Sequence, residues 1–167
     1  MWFVVLSLLG VLGVGSVQAQ SLCALPVLQK ATLDQDCPAS PVPLQVFALK
    51  NESEPMQVLL KADGTGLVDA NVKITGSPSH VAVSLHRVGF FHTHATTRYA
   101  GSETGWFAEP LLPLAFSEDF PVLGGASQAL WITFVVGDEA VSGNYSGVVS
   151  VSLNGEEVGS LEYQLAI

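Results

Sequence analysis

Apolar residues along this chain fall into short alternating or clustered runs, rich in β-branched types and broken by Gly, Asn, Asp and Pro. Leu44 to Leu49, Met56 to Lys61 and Val68 to Ile74 are the first expected strands, the last two separated by Asp63-Gly64-Thr65-Gly66. Val81 to Phe91 is the longest, with Val81, Val83 and Leu85 on one face and Ala82, Ser84 and His86 on the other. A period of two is the mark of a strand buried on one side only. Ala129 to Val136, Gly147 to Leu153 and Val158 to Leu165 complete the set. The last two flank Asn154-Gly155, a pair that tolerates the positive φ of a type I′ hairpin turn. Outside the N-terminus no window sustains a 3.6-residue period. The pattern predicts an all-β, immunoglobulin-like antiparallel sandwich of about seven to nine strands.

One stretch breaks the pattern. Between Arg98 and Gln128 there is little alternation, yet the segment holds Tyr99, Trp106, Phe107, Leu111, Leu112, Leu114, Phe116 and Phe120. Irregular connections this long are uncommon and usually carry function, and so much apolar surface needs a partner. One long ordered loop is therefore expected, folded over an open end of the sandwich or docked against another body.

The N-terminus reads as a targeting segment. Trp2 to Val14 is apolar and uncharged, shorter than the ~20 residues of a membrane helix, and Val17-Gln18-Ala19 offers small residues to a signal peptidase. Residues 1–19 are thus the expected signal peptide, residues 20–43 an N-terminal segment, and residues 44–167 the sandwich. Secretion, to an extracellular, cell-surface or periplasmic location, follows from that reading. Cys23 and Cys37 are the two cysteines, and an even pair in a secreted chain reads as a disulfide. No Cys-x-x-Cys and no nearby His supports zinc instead. Three prolines between Pro38 and Pro43 suggest an extended lead-in.

Charge narrows the partners. Six Lys and Arg against fifteen Asp and Glu give a formal net charge of −9, which argues against nucleic acid and anionic membrane surfaces. Stable membrane insertion is not expected once the signal is cleaved. Asn51-Glu52-Ser53 and Asn144-Tyr145-Ser146 are candidate N-glycosylation sites at Asn51 and Asn144. Tyr145 lies at the start of a late strand, where sandwiches often tie a tyrosine hydroxyl to an upstream backbone group.

Candidate chemistry is sparse. His92 and His94 share a strand face, a spacing that metals can use, but metal sites need three or four ligands and none follows nearby. No Gly-x-Ser-x-Gly elbow positions a serine, and Gly64-Thr65-Gly66 lacks the helix of a phosphate loop. Tyr99, Trp106 and Phe107 could form a platform for a sugar ring, although loop aromatics more often pack into their own domain. No catalytic residue, metal or cofactor is expected.

Four motifs stand out: Arg87-Val88-Gly89, Gly105-Trp106-Phe107-Ala108-Glu109-Pro110-Leu111-Leu112-Pro113, Gln128-Ala129-Leu130-Trp131-Ile132-Thr133-Phe134 and Gly143-Asn144-Tyr145-Ser146-Gly147. In these the chain resembles the N-terminal sandwich domain of glycoside-hydrolase-like proteins related to β-N-acetylgalactosaminidases. The resemblance covers roughly Leu44 to Ile167; Glu109 stands where that family usually has Asp. There the sandwich precedes a (β/α)8 barrel bearing the catalytic carboxylates, so the resemblance carries over no catalytic residue. It implies a secreted, non-catalytic accessory or binding module. Tyr99, Trp106, Phe107, Glu109, Pro110, Leu111 and Leu112 would form its surface toward a barrel domain or a carbohydrate. Trp131, Gly143, Tyr145 and Gly147 would be structural. Two other classes stay open: a stand-alone adhesive or structural domain, and a small hydrolase using His92, His94 and acids of the long loop.

Overall fold

The computed structural model describes residues 21–62, 64, 67–94, 104–116 and 118–167; the expected signal peptide and Tyr99 lie outside them. Among the described residues ten strands form in chain order: β1 (Ser21–Leu25), β2 (Leu44–Phe47), β3 (Ser53–Lys61), β4 (Leu67–Thr75), β5 (Val81–Thr93), β6 (Gly105–Leu114), β7 (Phe120–Leu123), β8 (Ser127–Val136), β9 (Asn144–Leu153) and β10 (Glu156–Ala166). They make two five-stranded sheets, β1-β3-β8-β5-β6 and β2-β10-β9-β4-β7. The inner strands β3-β8-β5 facing β10-β9-β4 reproduce the B-E-D and G-F-C order of an immunoglobulin sandwich. The expected antiparallel sandwich is present, with one parallel pairing, β2 alongside β10.

The seven expected strands are all present, and β1, β6 and β7 are additional. The core follows from the period-two pattern. Val58 and Leu60 of β3, with Leu130, Ile132 and Phe134 of β8, face Val149 and Val151 of β9 and Tyr163 and Leu165 of β10, all buried. Each such large apolar side chain contributes ~1.5–3 kcal/mol on burial.

Two turns explain why particular residues are needed. Asn154 and Gly155 take φ of 49° and 85°, the positive values of a type I′ turn, and Leu153 pairs with Glu156 across it. Gly147 permits a close approach: an added Cβ would lie 2.1 Å from the Thr75 carbonyl oxygen and 2.4 Å from the Tyr163 ring. Tyr163, fully buried against Phe134, donates its hydroxyl to that same Thr75 carbonyl at 2.9 Å. Burial pushes its phenol above the ordinary value. Tyr145 donates its hydroxyl to the Val141 carbonyl at 2.7 Å, the tie of a tyrosine corner. Gly143 has no comparable steric demand; its backbone exchanges two hydrogen bonds with Ile167.

The N-terminal segment is built into the sandwich. β1 pairs antiparallel with β3, and residues 26–37 lie over the outer face of its sheet. Cys23 and Cys37 are disulfide-bonded, closing a loop worth ~3 kcal/mol in the chain-entropy account. The two buried polar side chains among the described residues both serve this segment. Gln57 donates Nε2 to the carbonyls of Pro26 and Gln29, at 3.1 and 2.9 Å, and Ser127 donates Oγ to the Gln35 carbonyl at 2.6 Å. A small second core forms beneath, from Leu25, Ala31, Leu59, Val88 and Ala129.

The expected long loop is the main correction. Residues 105–114 form β6 along the β5 edge, and residues 120–123 form β7 along β4. The two prolines of β6 hide its strand pattern, but an edge strand needs backbone N–H groups on one side only and so accepts them. Phe120 and Leu114 do pack inward, Phe120 fully buried and Leu114 partly so.

Candidate functional site

The β5–β8 ladder ends at Arg87 opposite Leu130, whereas the β5–β6 ladder continues to Thr93 opposite Gly105. Residues 88–93 and 105–111 therefore continue as a two-stranded ribbon without β8, its base resting on the second core through Val88 and Ala108. A bulge between Val88 and Phe90 marks the departure. Gly89 fits there because an added Cβ would sit 2.8 Å from Pro110 Cγ. Gln128 fills the gap, its Nε2 donating to the Val88 carbonyl at 2.8 Å, where a ladder N–H would otherwise bond. That gives two motif residues, Gly89 and Gln128, a physical role.

Along the ribbon, Phe91 opposes Phe107 with ring centroids 5.9 Å apart. The next pair, His92 and Trp106, projects from the other face by strand alternation, with an edge-on contact at 5.1 Å. His94 adds a second imidazole 4.4 Å from that of His92. Trp106 is 60% exposed, and Phe91, Leu111, Leu112 and Phe116 are exposed as well. Glu109 and Pro110 also face solvent, and Phe107 is half-buried. Of the expected surface residues, the ribbon unites Trp106, Phe107, Glu109, Pro110 and Leu111, with Leu112 at its base. Among the described residues no three His, Cys, Asp or Glu side chains converge as metal ligands.

Beside the ribbon lies a cleft of about 310 Å³ on the outer face of the same sheet. Trp131, Val88, Ala108 and Leu111 form its apolar floor, and Val27 to Ala31 form one wall. Lys30 and Glu109 form an ion pair between that wall and β6. Trp131, expected as a structural strand residue, packs partly against the second core and partly lines this cleft. Sequence reasoning passed over the wall residues and gave Gln57, noted only in a loose resemblance of Glu54 to Leu60 to the same family, no role in a site. The available signal was Gln57 itself, a lone amide inside the apolar run Met56-Gln57-Val58-Leu59-Leu60. The candidate glycosylation residues Asn51 and Asn144 are both exposed, at the turn before β3 and the start of β9.

No protein-family model and no curated protein sequence matches this chain. Solved structures do. A family 123 glycoside hydrolase from Clostridium perfringens, described for glycolipid glycan hydrolysis, superposes with a TM-score of 0.70 at 8% identity. The match covers 89% of this chain and 27% of that one, so the chain spans about a quarter of the hydrolase's length. A PapD-like domain of human CEP192 follows at TM-score 0.42 and 11% identity, covering 99% of this chain and 95% of that one. Spo0M, a sporulation control protein from Bacillus subtilis, gives 0.41 at 10%, covering 89% and 49%. At these identities the likeness is one of fold: a β-sandwich of the kind present as part of a glycoside hydrolase chain. The disulfide fits an oxidising compartment.

Proposed function

We propose that this chain is a secreted, non-catalytic accessory module that docks its β5–β6 ribbon against a glycoside-hydrolase-like barrel domain. The observation that carries the reading is the ribbon: an extension beyond the sandwich whose aromatic and aliphatic side chains face solvent. Exposed apolar side chains grouped on one projection are costly in water and mark a contact surface. The superposition on part of a glycoside hydrolase supports the choice of partner, as does the resemblance in Gly105 to Pro113. Within a two-strand projection, Trp106 and Phe91 are suited to be anchors, since buried aromatics dominate interface energetics.

The test is sedimentation velocity of the purified chain mixed with an isolated barrel domain from that family. A one-to-one complex is expected, and it is lost in Trp106→Ser with Phe91→Ser. Absence of a complex, together with binding on a glycan array that Trp106→Ala removes, would point to a stand-alone adhesive role instead. Hydrolysis of aryl N-acetylgalactosaminides by the pure chain, lost in His92→Ala, would overturn the non-catalytic assignment.

A further inference from the structure

The cleft beside the ribbon is a built site, and its chemistry selects a class of ligand. Its wall is fixed on both sides: the Cys23–Cys37 bridge encloses residues 27–31, and Gln57 spends both Nε2 hydrogens on the Pro26 and Gln29 carbonyls. Gln57 is 2% exposed and lines the cleft, and with both Nε2 hydrogens committed its Oε1 is the group left to meet a ligand. Opposite the apolar floor, Lys30 and Glu109 hold each other across an exposed gap. Exposed ion pairs are weak, so both groups can be turned to a ligand.

These features exclude the simpler ligand types. A wholly apolar molecule would dehydrate Lys30, Glu109 and the Gln57 carbonyl without replacing their hydrogen bonds. A wholly polar molecule would waste the face of Trp131 and the Val88 and Leu111 side chains. The volume is at the small end of ligand pockets, room for one ring and not for a chain of them. We propose that the cleft holds a single pyranose ring, its C–H face on Trp131 and its hydroxyls reaching Glu109, Lys30 and Gln57 Oε1. The assignment does not depend on what the ribbon docks against.

Saturation-transfer difference NMR on the whole chain tests it, with the methyl glycosides of glucose, galactose and N-acetylgalactosamine as probes and cyclohexanol as an apolar-ring control. Saturable millimolar binding of at least one glycoside is expected. Lys30→Ala with Glu109→Gln, both at exposed positions, weakens it about tenfold, the loss typical of a charge-assisted hydrogen bond. Trp131→Ala abolishes it. Should that variant fail to fold, Leu111→Trp fills the cleft from the exposed edge and abolishes binding in its place. Trp106→Ala, on the ribbon, leaves it unchanged, which separates this site from the docking surface. The proposal is overturned if none of the three glycosides binds, if cyclohexanol binds as tightly, or if the Lys30 and Glu109 changes have no effect.

Discussion

The two halves of β5 live in different surroundings. From Val81 to Arg87 the strand pairs with β8, joined by β6 from Leu85 onward, and its alternate residues Val81 and Leu85 are buried in the core. From Val88 to Thr93 it keeps β6 alone, and Phe91 and His92 face solvent. One continuous strand therefore passes from a region where side chains determine stability to one where they are free to meet something else. The divide is made by small features: a glycine that tolerates Pro110 against its Cα, and a glutamine amide replacing a ladder bond.

The contrast is broken most severely from the body. Gly147→Ala forces a methyl group into the Thr75 carbonyl and the Tyr163 ring, and overpacking of that kind should cost about 3 kcal/mol in urea unfolding. A second test removes the covalent tie: Cys23→Ser with Cys37→Ser should lower stability by roughly 2–3 kcal/mol. It should also raise hydrogen exchange in residues 26–37 before the core exchanges. Tyr163→Phe deletes the hydrogen bond to Thr75 and should lose about 1 kcal/mol.

That same phenol has a pH signature. Its value in the folded chain is raised by burial, so its contribution is complete below the unfolded tyrosine value of about 10. The contribution is lost as pH rises through the folded value. Alkaline unfolding should accordingly be shallower in Tyr163→Phe than in the wild type. At the other end of the scale, Trp106→Ala should change stability by less than about 0.5 kcal/mol, as surface changes generally do, while removing the barrel complex. A large loss of stability in Trp106→Ala would mean that the ribbon belongs energetically to the body, and the comparison would fail.

The sandwich was legible because strands such as β5 and β8 bury alternate residues in the main core. Val81 to Leu85 and Leu130 to Phe134 show this plainly. The Asn154-Gly155 turn was legible for a local reason, since few residue pairs accept two positive φ values. β6 was not, because an edge strand exposed on both faces feels no pressure to alternate, and Pro110 and Pro113 mimic a loop. β1 went unread because five residues with a cysteine among them carry too little pattern. The cleft was invisible for a further reason: it joins residues 27–31, Gln57, Val88, Glu109 and Trp131 from five separate segments. Only the register of β3, β8, β5 and β6 brings these together.

The parallel pairing of β2 with β10 has a mechanical consequence. Leu44 lies beside Tyr163 and Phe47 beside Ala166. Tension applied between Leu44 and Ala166 therefore slides the two strands past each other and loads their hydrogen bonds together. Tension between Asn144 and Ala166, where β9 and β10 run antiparallel, opens bonds one after another instead. Pulled in the first direction the sandwich resists as a clamp, and in the second it opens like a zip.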